Sequence, residues 1–306
     1  MDGHGVIDPS VGDAERDRAA QRRAAGDTLD ARTTMDLVTL FVGDLHGMTA
    51  YYRDALGLEV LGESGRATRL GRAGRVLVEL RGEPELPIAS PREAGLFHTA
   101  LLFDTPATLA STVHRAAQHP RSRFVGSSDH SVSEAFYFTD PEGNGIELYR
   151  DRPRATWTDD AGRISMTTTF LDPRAYLRRH LSTRSGEPTG EATVGHVHLQ
   201  VGDIATARTF YVDALGFEPT LEAPGALFVS AGGYHHHIAV NVWNSRGAGP
   251  RAATLGLGSV AVEVPRRDDL DALAARLRER SIPFADDGRA VRVADPWGSA
   301  VTVASA

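Results

Sequence analysis

The stretch that decides the fold is Asp140-Pro-Glu-Gly-Asn-Gly-Ile-Glu-Leu-Tyr149. It predicts a tight turn followed by a β-strand, because Pro and Gly punctuate the turn and two aliphatic residues alternate with Glu147 at the period of two that a strand imposes. Glu147 is therefore expected to share a face with Gly145 and Tyr149. A carboxylate in this place is either a solvated residue at the rim of a sheet or a buried group that requires a partner.

An internal repeat indicates that the chain is built from copies of one unit. The first copy contains Val42-Gly-Asp-Leu45 and Tyr52-Arg-Asp-Ala-Leu-Gly-Leu-Glu59, and the second contains Val201-Gly-Asp-Ile204 and Tyr211-Val-Asp-Ala-Leu-Gly-Phe-Glu218. The offset between the two copies is constant along their length. Each copy predicts a strand, then a helix that is N-capped near the first Asp and that ends at the Gly of the second motif.

Each copy is followed by strand-like runs and then by a related unit that again has an opening strand, a helix and a closing strand. The strand-like runs are Arg75–Leu80 and Ala226–Ser230. The first related unit has an opening strand at Gly95–Phe103, a helix near 106–118 and the closing stretch that ends at Tyr149. The second has an opening strand at Gly256–Val264, a helix near 268–280 and a closing stretch at Asp295–Val303.

This pattern predicts an α+β fold of four βαβββ modules, numbered one to four along the chain. They lie near residues 35–85, 94–150, 193–245 and 255–304. Residues 35–150 thus hold modules one and two, and residues 193–304 hold modules three and four.

Two further segments complete the predicted organisation. Residues 1–34 lack apolar periodicity and are expected to form a mostly disordered leader. Residues 151–192 are expected to be a linker between the halves, in which Ile164–Phe170 predicts a strand.

Composition excludes several classes of protein. The 306 residues are enough for about two domains with an ample core, and 41% hydrophobic and 24% charged residues are ordinary for a soluble globular protein. The net charge of −7 and the lack of a long basic run argue against nucleic acid or a membrane as a partner. The chain has no Cys, so any metal must be held by His and carboxylate ligands, and a reducing cytoplasm is the expected location.

The chain resembles the vicinal oxygen chelate superfamily, which contains glyoxalase I, the bleomycin and fosfomycin resistance proteins and the extradiol ring-cleaving dioxygenases. The four modules and the D-P-x-G-N-x-x-E closing stretch carry this resemblance, and it implies that the modules form two half-barrels. Several stretches are most similar to bacterial catechol 2,3-dioxygenase-like proteins: Asp129–Glu134, Asp140–Tyr149, Asp151–Trp157, Gly195–Leu199 and Phe228–His237.

The resemblance implies a metal held by two His and one carboxylate, which suits Fe(II), with Mn(II) as the alternative. The implied ligands are His98, Glu147 and His196. His198 lies on the same strand face as His196 and is an alternative ligand or a group that supports one. Modules one and four lack the set, since they carry Leu37, Ser259 and Thr302 at the matching places. Module two is therefore expected to pair with module three within one chain, with a dimer-swapped arrangement as the alternative.

Three more residues are implied to act on the substrate. His236, in the run His235–His237 that is expected on a late strand of module three, matches the acid/base His of extradiol dioxygenases. The ordinary pKa of a histidine, about 6.5, suits proton transfer at neutral pH. Tyr137 matches a Tyr that hydrogen-bonds the bound substrate, and His130 resembles a pocket His. Each is also explained by a purely structural role, as a buried strand residue or as a hydrogen-bonded loop residue.

The resulting hypothesis is an extradiol dioxygenase that cleaves a catechol-type aromatic diol with O₂, as a monomer or a homo-oligomer. Two alternatives have different chemistry: a glyoxalase-like metalloisomerase with a redox-inert metal, or a non-catalytic protein that binds an aromatic ligand or drug. A structural remnant without any ligand is a further alternative.

Overall fold

The opening strands of the four modules pair in two couples at the centres of two β-sheets. Strand β1 (Thr34–Val42) pairs antiparallel with β14 (Gly256–Val264), and β5 (Gly95–Phe103) pairs antiparallel with β10 (Ala192–Gln200). The expected pairing of module two with module three is therefore confirmed. The computed structural model that gives this arrangement describes residues 27–160, 162–181 and 190–306.

Modules one and four together form an eight-stranded sheet, here called the 1–4 sheet. Its order is β15-β16-β17-β14-β1-β4-β3-β2. The remaining strands are β2 (Glu59–Ser64), β3 (Ala67–Arg72), β4 (Arg75–Gly82), β15 (Phe284–Asp286), β16 (Ala290–Ala294) and β17 (Ala300–Ser305).

Modules two and three form a nine-stranded sheet, here called the 2–3 sheet. Its order is β11-β12-β13-β10-β5-β8-β7-β6-β9. The remaining strands are β6 (Arg123–Asp129), β7 (Ser133–Thr139), β8 (Gly145–Asp151), β9 (Thr169–Phe170), β11 (Glu218–Ala223), β12 (Ala226–Ser230) and β13 (Ile238–Asn241). This arrangement is a mixed α+β fold with two large sheets, which is the fold class that the sequence predicts.

Five α-helices accompany the sheets in the described residues. They are α1 (Leu45–Leu56), α2 (Pro106–Gln118), α3 (Pro173–His180), α4 (Ile204–Arg208), which continues as a π-helix at Thr209–Ala214, and α5 (Arg267–Glu279). Across the described ranges, no helix has both the length and the apolar character needed to span a membrane.

The capping residues of the repeat act as the sequence predicts. The side chain of Asp44 accepts a hydrogen bond of 2.9 Å from the Gly47 N–H, and Asp203 accepts one of 2.7 Å from the Thr206 N–H. At the other end, Gly57 has φ +69°, a left-handed conformation in which a side chain would be strained.

The two sheets are joined by a pair of buried hydrogen bonds that follow the repeat. Tyr52 on α1 donates to Oδ2 of Asp140, in the turn before β8, at 3.1 Å. Tyr211 in the π-helix donates to Oδ2 of Asp295, in the turn before β17, at 2.9 Å. Each bond links the helix of a module in one sheet to the closing turn of a module in the other sheet.

The structure corrects two predictions about the segments outside the modules. Residues 27–33 were expected in the disordered leader, but Leu29 is buried in the core and its N–H donates to the Gly216 carbonyl at 2.8 Å. The rest of that leader, 1–26, lies outside the described residues. The strand expected at Ile164–Phe170 is limited to Thr169–Phe170, because only these two residues pair with β6, and helix α3 was not predicted.

Candidate metal centre

Three neighbouring strands place the implied ligands around one small residue, Ala100. Across the parallel pair β5–β8, Ala100 is opposite Glu147, and across the antiparallel pair β5–β10 it is opposite His196. His98 lies two residues before Ala100 and therefore on the same face of β5. A methyl group at the centre leaves the three longer side chains room to meet above it.

The donor atoms of these three side chains converge. Oε2 of Glu147 lies 2.9 Å from Nε2 of His98 and 3.1 Å from Nε2 of His196. One donor atom from each residue fits within a group that spans no more than 4.8 Å. All three side chains are buried, with 6%, 3% and 2% of the surface of His98, Glu147 and His196 exposed.

The chemistry of this donor set fits a divalent cation. Nε2 of His98 has no hydrogen-bond partner among the described residues, although the Glu147 carboxylate lies beside it. Burial lowers the pKa of His196 to about 4, so its ring is neutral at pH 7. Burial by itself would raise the pKa of Glu147, but the imidazoles of His196 and His98 hold it well below its usual value. Two imidazoles and one carboxylate on a single face are the donors of non-haem Fe(II) oxygenases.

His198 does not belong to this group of donor atoms. It lies directly opposite His98 on β10, and its Nε2 is 3.0 Å from the side-chain amide nitrogen of Asn241. That amide can only donate, so Nε2 of His198 is the acceptor. The alternative in which His198 replaces His196 as ligand is therefore not favoured by the geometry.

Tyr137 and His130 lie together beside Glu147. Tyr137 on β7 is the direct strand partner of Glu147, and its hydroxyl is 2.7 Å from Nε2 of His130. Nδ1 of His130 is 2.8 Å from the Thr167 carbonyl, which can only accept. A neutral His130 therefore accepts at Nε2 from the Tyr137 O–H. Burial, followed by the charge of Glu147, raises the pKa of Tyr137 well above its ordinary value.

The run His235–His237 is not on a strand, which corrects the prediction. It lies in the turn that precedes β13, and β13 begins only at Ile238. Strand alternation therefore does not separate the three rings. His237 Nδ1 accepts from the Ala231 N–H at 3.2 Å, whereas His236 lies against His196, with the ring centroids 4.0 Å apart.

A chain of hydrogen bonds holds His236 in one orientation. Nδ1 of His235 is 2.8 Å from Nδ1 of His236, and Nε2 of His235 is 2.9 Å from Oδ1 of Asp151. The carboxylate accepts from Nε2 of His235, so Nδ1 of a neutral His235 must accept from Nδ1 of His236. This tautomer leaves Nε2 of His236 without a proton.

The residues that support this series of hydrogen bonds were not identified from the sequence. Tyr234 donates to Oδ2 of Asp151 at 2.9 Å, and its hydroxyl is 2.8 Å from that of Tyr149. Tyr149 and Asp151 share a face of β8 with Glu147, so the period of two along this strand was the signal that could have found them.

An aromatic wall stands on the other side of His98. The rings of Phe97, His198 and Trp243 contact one another at centroid distances of 5.0 to 5.4 Å. The ring of His98 lies 5.0 Å from that of His198. Trp243 is 53% exposed, so the wall reaches from the buried donor group to the solvent. Aromatic faces in this position suit a flat, aromatic ligand.

Comparisons with known proteins agree with this fold. The sequence model described as "Glyoxalase/Bleomycin resistance protein/Dioxygenase superfamily" matches residues 34–148 and 193–303. A protein named catechol-2,3-dioxygenase, from Bacillus subtilis (strain 168), is 36% identical over 274 residues, which are 88% of this chain and 95% of the relative.

Solved structures with similar folds have lower sequence identity. A putative dioxygenase from Bacillus subtilis subsp. subtilis str. 168 aligns with a TM-score of 0.58 and 14% identity, over 89% of this chain and 84% of that one. Glyoxalase I from Zea mays aligns with a TM-score of 0.55 and 16% identity, over 89% and 92% of the two chains. These two structures show the shared fold.

Proposed function

The chain belongs to the Glyoxalase/Bleomycin resistance protein/Dioxygenase superfamily, and from this premise we propose that it is an extradiol ring-cleaving dioxygenase. The proposed substrates are a catechol-type aromatic diol and O₂. One observation carries the proposal: the donor atoms of His98, Glu147 and His196 converge at a buried point that Tyr137 and His236 border on two sides. The relative from Bacillus subtilis supports the same reaction class.

The proposed metal is Fe(II), with Mn(II) as the alternative, held by His98, Glu147 and His196. When bound there, it supplies a Lewis-acidic centre with open coordination positions and a redox couple that oxygen chemistry requires. A neutral imidazole pair and one carboxylate leave a single positive charge on such a centre, which favours a deprotonated diol.

Tyr137 is proposed to orient the diol. When its O–H donates to Nε2 of His130, the oxygen of Tyr137 offers its lone pairs to a substrate hydroxyl. The bond from His130 to the Thr167 carbonyl holds the imidazole in the tautomer that this arrangement needs. The same contact makes His130 a positioning residue rather than a proton donor to the substrate.

His236 is proposed to take and return a proton. Its Nε2 carries no proton in the tautomer that Asp151 and His235 impose, so it can accept the proton of the second hydroxyl. The positive charge that then forms on His236 is stabilised by the Asp151 carboxylate through the hydrogen-bonded His235 ring. The aromatic wall of Phe97, His198 and Trp243 stacks against the substrate ring and excludes water from its face.

The test combines metal analysis with oxygen uptake. We expect the chain, reconstituted with Fe(II) under anaerobic conditions, to retain about one iron per chain and to consume O₂ when catechol is added, with a yellow ring-opened product. His196→Ala is expected to abolish iron retention. His198→Ala is the matched control on the same strand face, and it is expected to retain iron.

The outcomes separate the proposal from its alternatives. Stoichiometric iron in a variant with Ala at 98, 147 and 196 together would refute the ligand assignment. A glyoxalase-like isomerase would convert its substrate without oxygen uptake. A non-catalytic aromatic-binding protein would bind catechol equally well with and without iron.

A further inference from the structure

The 1–4 sheet has a carboxylate at the position that Glu147 occupies in the 2–3 sheet. Ala100 and Thr39 are equivalent residues of β5 and β1, because each lies five positions before the N-cap of the following helix. Across the parallel strands that close the two modules, Ala100 is opposite Glu147 and Thr39 is opposite Glu79. Glu79 is therefore the counterpart of the candidate metal ligand, and sequence reasoning did not find it.

Glu79 has arginine partners where Glu147 has histidines. The Nε of Arg69 donates to Oε2 of Glu79 at 2.8 Å, and the Nε of Arg81 donates to Oε1 at 2.7 Å. Burial by itself would raise the pKa of Glu79, but these two hydrogen bonds outweigh it and lower the pKa. Glu79 is thus ionised, and both of its oxygens are already occupied by cations.

This group lines an open cavity of about 510 Å³. Gly62 is the strand partner of Arg69 and has no side chain to fill the space beside it. The lining residues are Gly62, Glu63, Ser64, Arg66, Ala67, Arg69, Glu79, Arg81 and Glu83.

Arg69, Glu79 and Arg81 are here called the triad. The two guanidinium groups are its exposed part. The side chains of Arg69 and Arg81 are 61% and 54% exposed, whereas that of Glu79 is 6% exposed. Each guanidinium has five N–H donors, of which Glu79 takes only the one on Nε. Within residues 27–160, 162–181 and 190–306, no hydrogen bond involves the Nη atoms of these two arginines. Planar guanidinium edges match a carboxylate in a bidentate geometry.

We propose that this cavity is a binding site for a small organic carboxylate, anchored by Arg69 and Arg81 above Glu79. Glu79 holds the two guanidinium groups side by side, so the ligand does not have to order them. Glu63 and Glu83 also line the cavity and favour a ligand that carries an ammonium group in addition to its carboxylate. The site is in the sheet that lacks the candidate metal centre and does not depend on the proposed reaction.

The test measures binding to the full chain by isothermal titration calorimetry. The probes have four carbons each: succinate with two carboxylates, 4-aminobutyrate with one carboxylate and one ammonium group, and succinamide with no charge. We expect saturable binding of succinate or 4-aminobutyrate and none of succinamide. Tighter binding of 4-aminobutyrate would assign a role to Glu63 and Glu83, and tighter binding of succinate would assign the site to simple acids.

Three variants locate the binding. Arg69→Gln with Arg81→Gln is expected to weaken it at least tenfold. Arg292→Gln is the matched control, since Arg292 is also 54% exposed in the 1–4 sheet, forms an ion pair with Asp287 and lies outside the cavity. Gly62→Phe fills the space beside Arg69 and leaves the triad intact, so it is expected to abolish binding even if the double variant folds poorly.

Two results would overturn the proposal. One is the absence of heat from both charged probes with the wild-type chain, which would make the triad a structural ion pair only. The other is equal binding to the wild-type chain and to Gly62→Phe. Iron content and oxygen uptake are measured in parallel, and since the cavity and the residues His98, Glu147 and His196 belong to different sheets, they are expected to stay unchanged.

Discussion

The hydroxyl of Tyr52 and the carboxylate of Asp140 form a buried hydrogen bond that fastens the closing turn of module two to the helix of module one. The turn that contains Asp140 leads directly into β8, the strand of Glu147. Asp140 also accepts from the backbone N–H of Asn144 at 2.8 Å. A contact made in one sheet thus fixes the start of the strand that carries a candidate ligand in the other.

Tyr52→Phe should destabilise the fold, because it removes a donor from a buried carboxylate. We expect the free energy of unfolding to fall by about 1–2 kcal/mol, measured by urea denaturation. Tyr176→Phe is the control: Tyr176 is buried too, but its hydroxyl has no hydrogen-bond partner among the described residues, so its removal should cost nothing. Equal losses for the two variants would contradict the role given to Tyr52.

Asp140 should make stability depend on pH. Burial raises its pKa from 3.8 to about 6, so the folded chain binds this proton more tightly than the unfolded chain does. The stability contributed by the protonated form is fully present below pH 3.8 and is lost as the pH rises toward 6. Asp140→Asn removes the titration, so its stability relative to wild type should rise by about 3 kcal/mol across this window.

Urea denaturation of both proteins at several pH values from 3.5 to 7 would measure this effect. A constant difference between Asp140→Asn and the wild type at every pH would show that Asp140 does not titrate in this range.

Asp151→Asn should slow the proposed ring cleavage without loss of the proposed metal. An amide in place of the carboxylate can donate to Nε2 of His235, which reverses the hydrogen bond between His235 and His236 and leaves a proton on Nε2 of His236. We expect kcat to fall by about tenfold to a hundredfold, as for other residues that orient a functional imidazole. Iron content should match that of the wild type.

Tyr234→Phe provides the comparison for this variant. It removes one donor to Asp151 but leaves the carboxylate bound to His235, so kcat should change much less. If Asp151→Asn retained the wild-type kcat, the assignment of the His236 tautomer would be wrong.

Gly145→Ala should disturb the candidate metal centre through the backbone. A Cβ at this position would overlap the carbonyl oxygen of Phe97 and lie 3.0 Å from Cβ of His98. β8 would have to move away from β5, which separates Glu147 from His98. We expect at least a tenfold loss of iron affinity and a destabilisation of about 1–3 kcal/mol.

The control for this change is Gly126→Ala on β6, where an added Cβ meets nothing within 4 Å. Competition with a chelator gives the iron affinity of both variants. A wild-type affinity in Gly145→Ala would mean that β5 and β8 can separate without affecting the ligands.

Much of the fold follows from local signals in the sequence. The opening strand Gly95–Phe103 and the helix Pro106–Gln118 have the predicted bounds, because apolar runs and a proline at the helix start are local properties. The helix N-caps at Asp44 and Asp203 were likewise predicted from local sequence. The pairing of modules two and three followed from the distribution of His and Glu over the repeat, together with the ligand arrangement that the family resemblance implies.

Other features depend on contacts that no local pattern records. The turn at His235–His237 was read as a strand, because a run of three identical residues has no periodicity to test. Helix α3 lies in the linker at 151–192, where the sequence predicted a strand and no helix. The pairing of Glu79 with Arg69 and Arg81 depends on the register between β1, β3 and β4, which the sequence of any one strand does not specify.

The strand pair β5–β10 sets an order of events during synthesis. His98 and Glu147 leave the ribosome well before His196, which follows His98 by 98 positions. Until module three has emerged, β5 has no antiparallel neighbour and the nascent chain holds only two of the three donors. Assembly of the three donors is thereby postponed until nearly two thirds of the polypeptide has been translated, and such distant pairing is a slow step in folding.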